Sequence, residues 1–373
     1  MTTFSWKNVF FGLAIVLVIT LLVNVIITFN FNKSLKLKAE DLKEKSRPGN
    51  IELTVVKNSK CAQCFDISPI LSTIKNSKAN ITKEKSVEFG TQEARELMGK
   101  YKIEKVPAII ITGEIAKVNI QGLIKKDNAL LFTDIKPPYT NAATGRIEGL
   151  VALYSIVDEK CSNCSNLLSL TTQIKQGGVK ISSEKSLTKD SLEGSELIKK
   201  YGIDFVPTMI VSSDLAQYAT IASAWPQVGT KEKDGSYVLR KPSPPFINLT
   251  DGKLKGMVTM TYLLDRSCKE CFNSSIYKNV LADPRGFAVT FEKEERLDVS
   301  DAKAQNLISK YNITQVPTVI LSADINAYPS QQALKQFFSV EKDGSFIFRK
   351  VSSLGNYKDL ALNKVVNKTV AKQ

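Results

Sequence analysis

The sequence predicts an α/β protein made of three tandem copies of one unit, carried behind a single membrane-spanning helix. Three observations predict it. All six cysteines fall into Cys-x-x-Cys pairs, a Tyr-x-Ile-x-x-Val-Pro block follows each pair, and a long uncharged apolar run lies near the amino terminus. The length of 373 residues also exceeds what one hydrophobic core usually fills, so several domains are expected.

The apolar run comes first in the chain. No charge occurs across the 25 residues from Asn8 to Asn32, and Val9 to Phe31 is mostly Val, Ile, Leu and Phe. As a helix rising about 1.5 Å per residue, that run crosses roughly 30 Å of hydrocarbon. A cleaved secretory signal has a shorter apolar core followed by small residues, and Asn30-Phe31-Asn32-Lys33 is a poor cleavage site. Residues 1–32 are therefore expected to be an uncleaved transmembrane anchor, and residues 33–49, where Lys alternates with Glu and Asp, a solvated juxtamembrane stalk. Lys7 flanks one side of the run and Lys33, Lys36 and Lys38 the other, so the charge rule does not fix orientation. Cysteine pairs that cycle through disulfides suit an oxidising compartment, which places everything after the single span on the extracytoplasmic side.

Composition narrows the chemistry. Histidine is absent, which excludes His-ligated zinc, Ser-His and Cys-His nucleophile pairs and imidazole bases. The net charge of +14 comes from 51 basic residues, mostly lysines interspersed with acids, as in Val340-Glu341-Lys342-Asp343. No compact Arg-rich patch with interleaved aromatics occurs, so nucleic acid is not an expected partner and an anionic membrane surface near the anchor is.

The three copies align at a spacing of 100 residues and then 107 to 110. Each opens on a β-branched strand candidate, Ile51 to Val56, Val151 to Val157 and Met257 to Leu264, followed by Cys61/Cys64, Cys161/Cys164 and Cys268/Cys271. Amphipathic stretches come next (Ile67 to Ile74, Leu167 to Ile174, Ile276 to Leu281), then a short strand and helices over Thr91 to Lys100, Ser191 to Lys200 and Asp301 to Lys310. The recurring block then reads Tyr101 to Pro107, Tyr201 to Pro207 and Tyr311 to Pro317, each with a β-branched run behind it. Turns at Lys126-Asp127-Asn128, Lys233-Asp234-Gly235 and Lys342-Asp343-Gly344 are of hairpin type. The proline-rich segments Lys136 to Tyr139 and Lys241 to Phe246 read as linkers. The domains are thus expected at 50–140, 146–246 and 253–373. The last includes a basic tail from Ser353 with Lys358, Lys364, Lys368 and Lys372, which reads as a final helix with a solvated face. The tyrosines, and the leucines four residues before them, read as core.

A strand, a Cys-x-x-Cys pair and a Tyr-x-Ile-x-x-Val-Pro block ending 46 to 49 residues after the first cysteine resemble the thioredoxin-like superfamily, in particular disulfide isomerases and other thiol-disulfide oxidoreductases. The resemblance covers nearly all of residues 50–352. It implies mixed sheets flanked by helices. It also implies cis prolines at Pro107, Pro207 and Pro317 lying against the disulfides, where the adjacent backbone pairs with an incoming substrate strand. Pro69 matches the kink of the family's first helix. The first cysteine of each pair is implied to sit at a helix N-terminus, where the dipole favours its thiolate. Cys61, Cys161 and Cys268 would then attack, and the shielded Cys64, Cys164 and Cys271 would resolve the mixed disulfide. Lys60, Lys160 and Arg266 would add positive charge. Departures are visible too: Lys60, Lys160 and Ser267 replace the family's Trp, and Val55, Ser155 and Tyr262 stand where it places a buried acid.

The expected function is a membrane-anchored thiol-disulfide oxidoreductase, isomerase-like in kind, exchanging disulfides with protein thiols and disulfides through three pairs and needing no cofactor. Two other readings stand beside it. One is a binding scaffold with inert disulfides; the other is a dithiol carrier of copper or zinc, although a tetrahedral zinc would need two pairs.

Overall fold

The computed structural model describes residues 6–77 and 79–367, so the ends of the expected anchor and tail, 1–5 and 368–373, lie outside the described residues. The chain divides into two compact units at Glu148/Gly149.

In the first unit, the expected anchor and stalk form one continuous helix, Trp6–Ser46. No Gly or Pro interrupts residues 13–46, and i,i+4 pairs such as Asp41 with Lys45 at 2.7 Å carry the helix through the charged part. Pro48 then ends it, since the residue before a proline is pushed out of helical conformation. Its apolar side chains from Phe10 to Phe31 are exposed, and Phe10–Ser46 is the one helix among the described residues long and apolar enough to cross a membrane.

A clamp fixes the end of this helix. Arg47 donates from both terminal nitrogens to Glu114, at 2.7 and 2.5 Å, and from Nε to Glu44 at 2.7 Å. Lys117 Nζ reaches the Glu44 carboxylate at 2.8 Å. These hydrogen bonds hold the Glu44 and Glu114 carboxyls down to about 2.

The first mixed sheet has the strand order 80–88, 50–57, 108–113, 129–132, 124–126. The opening strand Asn50–Lys57 runs parallel to Asn80–Glu88 and antiparallel to Ala108–Gly113. Because successive side chains alternate faces, Ile51 and Leu53 pack with Ile74, Ile109 and Ile111, whereas Val56 packs with Val87, Ala108 and Ile110. Helix Ser68–Lys75 covers the first face through Ile74; helix Gln92–Tyr101 covers the second through Ala94, Met98 and Tyr101. Thr91 caps the latter by accepting from Ala94 N at 3.2 Å.

The second unit repeats this arrangement twice. Its five-stranded sheets run 180–188, 150–157, 208–211, 237–239, 229–231 and 291–298, 258–264, 318–321, 346–348, 338–340. Helices Leu168–Gln176 and Leu192–Tyr201, then Ser275–Leu281 and Ala302–Lys310, flank them. The chain is therefore a mixed α/β protein with three mixed sheets flanked by helices behind an apolar helix.

Two expectations change. The proline-rich segments do more than connect: each leads into a strand of a small antiparallel sheet, in the order 105–106, 139–141, 147–148 and 205–206, 246–248, 254–255. The described part of the tail, residues 353–367, contains no α-helix. Tyr357–Asp359 and Lys364–Val366 form a hairpin on Gln315–Val316, favoured by the β-branched Val365 and Val366 and a left-handed turn at Asn363, φ 48°.

Candidate active site

Each opening strand delivers the chain to Asn58, Asp158 or Asp265, whose side-chain oxygen accepts the amide two residues on: Lys60 N at 3.0 Å, Lys160 N at 3.0 Å and Ser267 N at 2.8 Å. Such turns suit Asn and Asp because their short side chains mimic a backbone carbonyl. The carbonyl of the same residue accepts the amide of the first cysteine, at 3.0, 3.0 and 3.1 Å. Each pair is closed as a disulfide: Cys61 with Cys64, Cys161 with Cys164, and Cys268 with Cys271.

The pairs sit in turns, not at helix N-termini. The following helices start at Ser68, Leu168 and Ser275, each four residues beyond the second cysteine. Pro69 occupies the first turn of its helix, where a missing amide hydrogen costs nothing, so it starts the helix and does not kink it. The expected shielding of the second cysteine is also reversed in the first pair. Cys61 is 9% exposed, whereas Cys64 is half-buried. Lys60 and Lys160 point into solvent, and Arg266 lies 4.0 Å from Asp298.

The peptide bonds Val106-Pro107, Val206-Pro207 and Val316-Pro317 are cis. Beside the first pair a cleft of about 590 Å³ is lined by Val55, Cys61, Cys64, Ser86 and Pro107. Beside the second, one of about 420 Å³ is lined by Ser155, Cys161, Cys164, Ser186 and Pro207. The pairs and prolines of the first two copies therefore share one opening each.

The small sheets bring in residues that the motifs did not reveal. In every copy the two residues before the proline pair with a later strand, which acts as a strap: Val106 with Thr140, Val206 with Ile247, Val316 with Lys358. The residue after the second cysteine donates its amide to the strap, Phe65 to Pro138 O at 2.7 Å, Ser165 to Pro245 O at 2.7 Å and Phe272 to Asn356 O at 2.9 Å. The backbone edge where the resemblance expects a substrate strand is thus paired within the chain.

The three straps present different side chains. Thr140, fully buried, accepts from Asn58 Nδ2 at 2.9 Å and stands 3.9 Å from Cys64 Sγ. Lys358 lies 3.4 Å from Asp265. Burial acts to raise the Asp265 carboxyl, but the Ser267 hydroxyl and amide and the Lys358 ammonium hold it below its ordinary value. Asp158 has Lys189 at 3.8 Å.

The third copy departs further at the position of the expected acid. Tyr262 is fully buried, with Arg296 over its ring and Glu294 accepting from its hydroxyl at 3.3 Å. Burial and the Glu294 charge push its hydroxyl up to about 12. Among the described residues no group of three or more Cys, Asp or Glu side chains is placed to hold a metal ion.

No protein-family model matches the chain, and no curated protein matches it in sequence. Solved structures give distant likenesses. The NTD_N/C domain of the alkylhydroperoxide reductase AhpF from Enterococcus faecalis is 16% identical, over 46% of this chain and 81% of that one, at a TM-score of 0.14. ERdj5 is 10% identical, over 76% of this chain and 39% of that one, at 0.15. Zinc-bound human ERp44 is 9% identical, over 78% of this chain and 85% of that one, at 0.14. At these scores the likenesses carry no argument about fold or activity.

Proposed function

We propose that the chain is a membrane-anchored thiol-disulfide oxidoreductase of thioredoxin type, with three tandem domains near 50–140, 146–246 and 253–373 on the extracytoplasmic side. The observation that supports this reading is a bridged Cys-x-x-Cys turn formed three times over, with a Val-Pro proline lining the same cleft as the cysteines in the first two copies. A protein whose cysteines served only packing would have no reason to keep each in such a pair.

The chemistry is dithiol exchange with protein thiols and disulfides, isomerase-like where the substrate disulfide is merely rearranged. In a reduced pair, the thiolate of Cys61, Cys161 or Cys268 attacks a substrate disulfide, forming a mixed disulfide and releasing one substrate thiolate. Cys64, Cys164 or Cys271 then attacks its partner's sulfur. The pair closes, and the second substrate sulfur leaves as a thiolate that takes up a proton. Two electrons pass from protein to substrate, and the reverse sequence oxidises a substrate dithiol. Pro107 and Pro207 line the clefts that hold the first two pairs, and in this reading they and Pro317 shape the surface on which a substrate docks.

The burial of Cys61 and the intrachain strap favour a second reading, a binding scaffold whose disulfides stay closed. Equilibrating the full chain in detergent with glutathione buffers of graded ratio, then alkylating and resolving each cysteine by peptide mass, separates the two. Dithiol exchange requires each pair to open and close reversibly; pairs that stay closed across the whole series defeat it. Anchoring is tested by flotation with liposomes, in which the full chain should rise and residues 33–373 alone should stay in the aqueous layer.

A further inference from the structure

We infer that Thr140 donates a hydrogen bond to Cys64 that favours the Cys64 thiolate and sets the first dithiol apart from the other two. The inference rests on the dithiol-exchange reading for its purpose, though its geometry stands alone.

The direction of the hydrogen bonds follows from the neighbours. Asn58 Oδ1 accepts the Lys60 amide at 3.0 Å, so the other end of that side-chain amide, Nδ2, faces Thr140 Oγ1 and donates to it at 2.9 Å. The single hydroxyl hydrogen of Thr140 is therefore not needed toward Asn58. The sulfur 3.9 Å away carries no hydrogen in the disulfide, so the hydroxyl is the donor. Thr140 is fully buried, so bulk water does not compete for that hydrogen. Its backbone is held in place by the pairing with Val106 and by the bond from Phe65 N to Pro138 O at 2.7 Å.

A hydrogen bond to an ionised acceptor is roughly twice as strong as one to a neutral acceptor. The Thr140 hydroxyl therefore interacts more strongly with the Cys64 thiolate than with the thiol, and lowers the cost of deprotonation. That is the step a resolving cysteine must take before it attacks the Cys61 sulfur and expels the substrate thiolate. The buried Val55, lining the same cleft, offers neither charge nor hydrogen bond from its side chain. At the same register the second copy has Ile247, which has no donor, and the third has Lys358, which is engaged by Asp265.

The test uses the full chain in detergent with Cys61 replaced by Ser, which leaves Cys64 as a free thiol. The pH dependence of iodoacetamide alkylation, resolved by peptide mass, gives its pKa in C61S, C61S/T140V and C61S/T140S. T140V should raise the pKa by about one unit, leaving about tenfold less thiolate near neutrality; T140S should restore it. An unchanged pKa in T140V, or a T140S that behaves like T140V, overturns the inference. Should T140V misfold, a reciprocal variant in the second copy decides. Asp158, which stands where the first copy has Asn58, would accept the new hydroxyl's hydrogen, so it is replaced by Asn. C161S/D158N/I247T should then have a lower Cys164 pKa than C161S/D158N, and no change overturns the inference. Because C61S has no disulfide at this pair, the titration stays readable even if native pairs resist glutathione, so failure of the exchange reading and failure of the Thr140 inference are distinct results.

Discussion

The guanidinium carbon of Arg296 lies 4.1 Å from the centre of the Tyr262 ring, and Arg296 stands opposite Tyr262 in the sheet just as Ser86 stands opposite Val55 and Ser186 opposite Ser155. Large side chains thus stack in the third copy where small ones border a cleft in the first two.

Tyr262→Ala should therefore destabilise the third copy by roughly 3–5 kcal/mol, the usual cost of emptying a buried aromatic site. Tyr262→Phe loses only the hydroxyl bond to Glu294 and should cost about 0.5–1.5 kcal/mol. Hydrogen exchange over the opening strand 258–264 reads both. Equal effects from the two variants would show that packing of the ring is not what holds this site.

The Arg47 clamp predicts acid sensitivity. Glu44 and Glu114 have folded-state values of about 2, below the ordinary 4.5, so their contribution is fully present above about pH 4.5 and is lost as pH falls toward 2. Exchange protection of residues 44–48 should fall over that window and also on adding salt, because the groups are exposed. E114Q should weaken protection at neutral pH. Protection independent of pH between 5 and 2 would remove the clamp from any account of the helix end.

Two Tyr-Asp-Lys clusters look like sites and are predicted to be structural. Asp343 accepts from Tyr311 at 2.7 Å and Lys310 at 2.6 Å, and Asp234 accepts from Tyr201 at 2.9 Å and Lys200 at 2.8 Å. These bonds hold both carboxyls well below the ordinary range. D343N should cost under about 1 kcal/mol, as for other surface pairs, and leave the glutathione titration of Cys268/Cys271 unchanged. A shifted titration would give the cluster a part in the chemistry.

Reduction should leave the fold standing. Each disulfide closes a loop with a sequence separation of 3, and so short a loop removes little chain entropy, worth about 2 kcal/mol at most. Circular dichroism in excess reductant should match that of the oxidised chain, and loss of sheet signal would make the pairs structural staples.

The repeat was legible because its signals are local. Cysteine spacing, the β-branched opening runs and the Val-Pro block each act within a few residues. The straps were not, because Pro137-Pro138 and Pro242 to Pro245 carry turn signals and the strands beyond them are only three residues long. Lys358 and Val365 suggested a helix because weak periodicity over a lysine-rich tail does not show pairing with Gln315–Val316. Thr140 lies 76 residues from Cys64, so only tertiary structure brings the two together. The amphipathic pattern from Ile67 to Ile74 matches the helix Ser68–Lys75, whereas the resemblance implied a helix beginning at the cysteine, because Pro69 fits either a kink or a first turn.

The unbroken helix Trp6–Ser46 carries one more consequence. If its apolar half lies in a bilayer, as proposed above, the part from Asn32 to Ser46 forms an arm of about 22 Å, and the Arg47 clamp joins that arm to the fold that holds Cys61 and Cys64. A dithiol carried on such an arm would then search a thin layer above the lipid, in two dimensions, where a tethered flexible domain would sweep a volume. Partners would then be chosen by the height of their sulfurs above the membrane, and lengthening or breaking the arm would change which proteins are reached without altering any reactivity.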